Sequence, residues 1–297
     1  MGLYDDAHLS TLIPVPASDA HKYSRGKAVV VAGSARYPGA ACLAAHASQL
    51  AGAGYTQVFT ALPNVSRIQA YRPSLVVSPF DAFDPEGAVG PNGSGAVAIG
   101  PGFAPDPALE PLVKNAIKRV KGPLLIDGGA LGFLAKPKYH ACLAKRRAKG
   151  RSCVLTPHEG EAACLGASYG IVLAEPSSVD ARRAFAGALA ACYESIVVLK
   201  GPVTIVAAPD QDHEAHVVDS GTAALAKAGT GDVLAGLIGG LLAQGVEPFD
   251  AAVLGASLHA HAGCVAQGTY GIVSVCAEEV LASIPRAIMD FLALRSA

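Results

Sequence analysis

The stretch Ala228-Gly229-Thr230-Gly231-Asp232 runs directly into an apolar segment that begins Val233-Leu234-Ala235. Two glycines, a threonine and an aspartate in that order read as a tight loop entering a helix. The first turn of a helix carries N–H groups without intrahelical partners and a partial positive charge. Glycine lets such a backbone approach an anion closely. Gly229, Thr230 and Gly231 can therefore form an anion cradle, and Asp232, kept ionised by the helix end, can act as a base. An oxyanion cradle beside a carboxylate base is what phosphoryl transfer to an alcohol needs. A Thr/Asp helix cap after a glycine turn is the plainer reading of the same residues.

The elements around this loop form a pattern. Lys27 to Val31 is an apolar strand that runs into Gly33-Ser34, and Tyr37-Pro38-Gly39-Ala40-Ala41 then opens a small-residue helix reaching about Ala53. Tyr55 to Thr60 is the next strand, and Leu75-Val76-Val77 a short one. This β-loop-α-β order builds a parallel sheet with ligands at the strand C-terminal ends. Further strands end at Gly100-Pro101-Gly102, Asp127, His158 and Lys200, and all five endings are polar or glycine-rich. Gly33, Gly39 and Gly102 read as close-approach positions or as turns. Helices are expected at about 107–121, 161–165, 178–193, 232–244, 248–267 and 276–294. Residues 204–207 and 215–218 form a hairpin around Pro209-Asp210-Gln211-Asp212, and Asp81 to Gly95 is a surface loop. The expected architecture is one α/β domain spanning 1–297, with residues 1–26 as an N-terminal arm or short helix. Its mainly parallel central sheet is covered by helices on both faces.

Composition sets bounds. The 297 residues are 51% hydrophobic and 16% charged, which suits a sizeable core. A net charge of −1 carries no nucleic-acid or acidic-membrane footprint. Lys145-Arg146-Arg147 reads as a solvated helix end. Seven cysteines without CxxC spacing argue for buried thiols in a reducing cytoplasm and against a zinc site. Asp5, Asp6 and His8 stand where the apolar part of a secretory leader would begin. The apolar runs are broken before they reach a membrane-spanning length.

Some residues have two readings. Lys200 ends an apolar strand, where an unpaired ammonium is costly; either a phosphate or an acidic neighbour resolves it. Asp127 either lines the cleft and holds a water or serves its turn. Glu159 and Glu161 could order magnesium, or simply favour a helix start. His259 and His261 are two apart and face different sides of a helix, so they do not chelate one metal.

Taken together, Gly33-Ser34, Tyr37-Pro38-Gly39-Ala40-Ala41, Ile99-Gly100-Pro101-Gly102, Asp127-Gly128-Gly129-Ala130-Leu131, Thr156-Pro157-His158-Glu159-Gly160-Glu161, Leu199-Lys200-Gly201-Pro202-Val203-Thr204 and Gly229-Thr230-Gly231-Asp232 resemble one family. It is the ADP/ATP-dependent NAD(P)H-hydrate dehydratases of the ribokinase-like superfamily. The resemblance runs from about Lys22 to the C-terminus. The last motif alone indicates only the superfamily; the two before it, in that order, are more specific.

The resemblance implies repair of hydrated NADH or NADPH. The hydroxyl at C6 of the nicotinamide ring is phosphorylated, with ADP or ATP as donor and Mg2+ as cofactor, and phosphate is then eliminated. It implies that Ala40, Gly102, His158 and Asp232 contact the hydrated dinucleotide, with Asp232 as catalytic base. It also implies that Lys200, Gly201, Pro202, Val203, Thr204 and Gly231 hold the adenine nucleotide. A homo-oligomer follows from the same resemblance, with a tetramer as one candidate, and so does a separate epimerase in the same pathway. The chain departs from the family at Gly129, where many relatives carry a second aspartate, at Ala228, where a Gly-Gly pair is common, and at Thr222, where asparagine is common. Two rival readings stand beside this one: a ribokinase-like kinase of a vitamin precursor, and a non-catalytic nucleotide-binding subunit.

Overall fold

A computed structural model describes residues 4–90, 94–210 and 213–296. Of the expected hairpin turn, Gln211 and Asp212 lie outside the described residues, as do Pro91 to Gly93 of the surface loop.

The chain opens with helix α1 (Asp6–Leu12), then β1 (Lys27–Val31), α2 (Pro38–Leu50), β2 (Tyr55–Thr60), α3 (Val65–Tyr71) and β3 (Val76–Pro79). Next come β4 (Ala96–Ile99), α4 (Glu110–Arg119), β5 (Leu124–Ile126), α5 (Leu131–Leu134), α6 (Pro137–Arg147), β6 (Cys153–Leu155) and α7 (Glu159–Ala167). The last part holds α8 (Val179–Tyr193), β7 (Ile196–Leu199), β8 (Thr204–Ala207), β9 (His216–Val218), α9 (Thr230–Ala243), α10 (Pro248–Tyr270) and α11 (Ala277–Ala293).

The nine strands form one sheet in the order β3-β2-β1-β4-β5-β6-β7-β8-β9. Neighbours from β3 to β7 pair in parallel, and the β7–β8 and β8–β9 pairs are antiparallel. Successive side chains on a strand point to opposite faces, so each strand feeds two cores. Ala96, Ala98, Leu125 and Val198 pack with the α9, α10 and α11 side. Val97, Ile99, Leu124, Ile126 and Leu199 pack with α4, α6 and α8. A smaller cluster of Val30, Ala41, Ala45, Val58 and Ile68 lies under α2 and α3. The expectation of a mainly parallel sheet with helices on both faces is met.

Helix α9 sits unusually close to α2. A Cβ added at Gly236 would meet the Ala44 carbonyl oxygen at 2.2 Å, and one at Gly240 the Ser48 carbonyl oxygen at 2.6 Å. Only glycine permits this approach, and it fixes the start of α9 relative to α2. The N-terminal segment is tied down rather than loose. The Arg295 guanidinium donates to the carbonyls of Ser10 (2.6 Å) and Ile13 (2.7 Å), and the Tyr4 hydroxyl donates to Asp250 at 2.6 Å.

Two expectations need correction. Arg146 is not part of a solvated helix end: it is 3% exposed. Its guanidinium donates to the carbonyls of Val120 (2.6 Å), Gly122 and Ser152 (3.2 Å), closing the end of α4 and the turn before β6. Nor are the cysteines generally buried. All seven are free thiols, but only Cys153 is buried, while Cys164 and Cys276 are exposed. Among the described residues no helix is long and apolar enough to cross a membrane.

Candidate active site

The five polar strand endings follow β1, β4, β5, β6 and β7, which are consecutive neighbours in the sheet, so they gather along one edge. Main-chain bonds carry the ladder past the strands. Gly33 and Ser34 N–H donate to Pro101 and Gly102 at 2.9 Å each, Asp127 to Ile99 at 3.0 Å, and Lys200 to Pro157 at 2.9 Å. His158 and Lys200 form an isolated parallel bridge. Buried polar groups behind the first loop hold its shape: Thr60 Oγ1 donates to the Gly33 carbonyl (2.9 Å) and Asn64 Nδ2 to that of Ser34 (2.9 Å).

Helix α9 begins against this edge. Gly229, at its N-cap, has φ +92°, a left-handed conformation that strains any residue with a side chain. A Cβ there would also meet Ala277 Cβ and Leu43 Cδ1 at 2.9 Å. Leu43 lies one turn beyond Ala40 on α2, and a Cβ at Gly102 would come within 2.5 Å of Ala40 Cβ. Ala40, Gly102 and the glycine loop thus form one continuous wall. On the other side, a Cβ at Gly231 would lie 3.4 Å from Lys200 Nζ.

Lys200 resolves its burial through acidic neighbours. Its ammonium donates to Asp127 Oδ1 at 2.9 Å and stands 4.0 Å from Glu161. Burial alone would depress the ammonium, but these carboxylates outweigh it and hold Lys200 above its ordinary value. Asp127 is 3% exposed and also accepts from Thr156 Oγ1 at 2.6 Å, so it ties Thr156 and Lys200 to the end of β5.

The expectation that the helix end keeps Asp232 ionised is corrected by its surroundings. Burial, with the carboxylates of Asp127 and Glu161 nearby, lifts Asp232 to about 7 against the opposing pull of Lys200. Desolvation is the largest of these effects, and like charge adds to it. A carboxylate poised near neutrality is a better match to general-base work than an ordinary one.

His158 caps α7. Its Nδ1 accepts from Gly160 N–H (3.0 Å) and Glu161 N–H (3.3 Å), while Glu161 Oε2 accepts from the His158 N–H (2.9 Å). A ring whose Nδ1 accepts carries its proton on Nε2, and the side chain is 61% exposed at the cleft edge. Glu159 pairs with Arg182, so both α7 glutamates are engaged within the protein. Among the described residues no three His, Cys, Asp or Glu side chains converge as a metal cage.

Beside the loop lies a cavity of about 410 Å³ lined by Lys200, Gly201, Pro202, Thr204, Thr230 and Gly231, together with apolar residues of α9 and α10. It gathers the residues expected at the nucleotide except Val203, which packs on the core beneath. Thr222 also lines it, capping the Ala224 N–H (3.2 Å) and bonding Gln267. Gly129 is enclosed: a Cβ there would meet the Phe103 carbonyl oxygen at 2.3 Å, so this backbone admits no side chain at that position.

One residue escaped the sequence reading, and another was weighed there only as a metal ligand. Arg182, 2% exposed, reaches from α8 to Glu159 and to the Lys200 carbonyl (3.4 Å), directly behind Gly201. His259, buried in α10, faces the cavity. Charged and polar residues inside otherwise apolar helices were the available signal for both.

With this geometry in place, comparison with known proteins is decisive. Residues 28–286 match the family described as NAD(P)H-hydrate dehydratase. The chain belongs to that family. An ADP-dependent (S)-NAD(P)H-hydrate dehydratase of Xanthomonas campestris is 35% identical over 92% of this chain and 91% of its own length. The crystal structure of the ADP/ATP-dependent NAD(P)H-hydrate dehydratase of Bacillus subtilis, co-crystallised with ATP/Mg2+, superposes with a TM-score of 0.79 at 26% identity, covering 97% of each chain. A bifunctional NAD(P)H-hydrate repair enzyme of Moorella thermoacetica is 34% identical over 92% of this chain, which spans 51% of that longer relative. Within the dehydratase family, this chain thus corresponds to one part of such two-activity enzymes.

Proposed function

We propose that this chain is an ADP-dependent (S)-NAD(P)H-hydrate dehydratase, working as a single unit over residues 1–297. The observation that carries the proposal is the meeting of Asp232, the Gly229–Gly231 loop and Lys200 beside an apolar cavity, in a chain alike along nearly its whole length to a dehydratase of that name. In this reading the cavity takes the nucleoside, with Lys200 to Thr204 and Gly231 around the nucleotide. The N–H groups at Gly229, Thr230 and Gly231 receive the transferring phosphoryl group. The hydrated nicotinamide lies against Ala40 and Gly102, with the exposed His158 Nε2–H available to its polar groups.

The chemistry then has two stages. Asp232 takes the proton of the C6 hydroxyl as that oxygen attacks the β-phosphorus of ADP, and AMP leaves. The C6–O bond next breaks, its electron pair departing with phosphate while the ring nitrogen lone pair supports the developing charge. Loss of a C5 proton restores the dihydropyridine. Magnesium held on the nucleotide phosphates would neutralise charge during the transfer. A homo-oligomer in the cytoplasm and a separate epimerase supplying the reactive epimer complete the proposal.

The test is direct. Hydrated NADH with ADP and Mg2+ should recover the dihydropyridine absorbance and release AMP and phosphate in equal amounts. A stable phosphoester would instead indicate a kinase, and nucleotide binding without turnover a non-catalytic subunit.

A further inference from the structure

His259 is the one histidine of the α9–α10 side that is both buried and set in the wall of the cavity. It is 8% exposed, and its Nε2 is shielded from solvent without a hydrogen-bond partner among the described residues. An orphaned buried acceptor or donor is costly and calls for an occupant. The ring also lies against the main chain of Thr230, the first residue of α9, in a contact that favours the charged ring, as a carbonyl oxygen does. With Nε2 turned to the cavity, Nδ1 is the nitrogen on the Thr230 side. Burial pushes the imidazole down to about 4, so it is neutral. Its single proton is then on Nδ1, and Nε2 presents a lone pair. The threonine hydroxyl does not compete, because Thr230 Oγ1 donates to the Leu225 and Lys227 carbonyls at 2.8 Å each.

We propose that His259 is a nucleoside-recognition residue: Nε2 accepts a hydrogen bond from a donor on the bound adenine nucleotide, while the other edge of the ring packs against the start of the phosphate-binding helix. The inference rests on the proposed function, because it takes the cavity to be the nucleotide site. Its neighbours there, Leu234, Ala256 and Ala260, are apolar and leave His259 as the polar feature of that wall. The donor is a ribose hydroxyl or the exocyclic amine of adenine; both offer N–H or O–H to a lone pair. One side chain would then couple occupancy of the nucleoside pocket to the position of the loop that receives phosphate.

The experiment measures binding of ADP, 2′-deoxy-ADP, 3′-deoxy-ADP and purine riboside diphosphate, which lacks the amine, by calorimetry. It uses the wild type and His259→Asn. Asparagine keeps a donor near the Nδ1 position and removes the distal acceptor. The wild type should bind one of the three analogues about 5- to 10-fold more weakly than ADP, the range of one neutral hydrogen bond. His259→Asn should bind ADP and that analogue alike, with an unchanged melting temperature. Equal wild-type affinity for all four nucleotides overturns the inference, and so does an unaltered preference in His259→Asn. The wild-type comparison needs no variant and stands even if His259→Asn misfolds. A wild type that binds no ADP removes the proposed function as well, whereas binding without discrimination removes only the role of His259.

Discussion

Lys200 Nζ stands 2.9 Å from Asp127 Oδ1, and a side chain at Gly231 would sit 3.4 Å from the same ammonium. One cation therefore joins the end of β7, the end of β5 and the first turn of α9. Removing one member of a buried pair leaves the other charge uncompensated and costs ~3–5 kcal/mol. Lys200→Ala should lower the denaturation midpoint and weaken ADP binding more than hydrate binding. Adding Asp127→Asn should recover part of the stability and none of the nucleotide affinity. Equal loss of both ligands, measured by calorimetry, would contradict the assignment of Lys200 to the nucleotide.

Asp232 sets the acid limb of the pH profile. As a base it must be deprotonated, and its value of about 7 means that kcat/KM should rise with pH through neutrality. Lys200 opposes the upward shift, so Lys200→Met should move the limb to higher pH. A limb at about 4, the ordinary carboxylate value, would show that the folded protein does not raise the Asp232 carboxyl.

Asp232→Asn separates chemistry from folding. Turnover should fall by roughly 10²–10⁴, the usual contribution of a general base. Stability should move the other way. A carboxyl raised in the folded state binds its proton more tightly than the unfolded chain does. Its stabilising effect is full below the ordinary value near 4 and is lost as pH rises through about 7. The melting temperature of Asp232→Asn should therefore gain on the wild type between pH 5 and pH 8, in steps of about one unit along the titration. A variant that loses fold and nucleotide binding together would mark Asp232 as a structural residue of the first turn of α9.

Arg146 supplies a control remote from the site. Its guanidinium satisfies the carbonyls of Val120, Gly122 and Ser152 from a buried position. Arg146→Met should destabilise by about 3 kcal/mol, as buried charge-assisted bonds are lost and carbonyls left unpaired. Activity per folded molecule should stay at the wild-type level when assayed well below the melting temperature.

Assembly gives a fifth expectation. Tyr270, Ile272, Val273 and Met289 expose large apolar surface, with Val273 81% exposed. Covering such residues is a common driver of subunit association. Sedimentation should show a homo-oligomer, and Val273→Asp should shift it towards smaller species. A concentration-independent monomer would end this expectation.

Much of the architecture was legible because strand endings and helix starts carry local signals. Gly33-Ser34, Gly100-Pro101-Gly102 and the Gly229–Asp232 loop mark turns whatever surrounds them. Helix α3 was not legible: it follows Leu62-Pro63-Asn64, is short, and buries only Ile68, so it has no period to read. Arg146 misled because charge normally signals solvent, whereas this guanidinium replaces water at the buried carbonyls of Ile117, Val120 and Gly122. The ionisation of Asp232 was out of reach for a different reason. Its neighbours Asp127 and Glu161 come from other strand ends, and only the sheet order brings them together. Arg182 and His259 belong to helices whose alanine-rich surroundings suggest packing alone, and their meaning depends on which loop each helix meets.

The glycine-mediated contact between α2 and α9 joins residues from the first sixth of the chain to residues from its last quarter. During synthesis the sheet from β1 to β7 can form, and the pocket behind Lys200 can begin to take shape, while α9 is still inside the ribosome. The wall at Ala40 and Gly102 meanwhile lacks its opposite side. Contacts of such long sequence separation form late. A nascent chain therefore has neither cradle nor base until Ala243 has emerged, and an incomplete chain can hold apolar surface but not react.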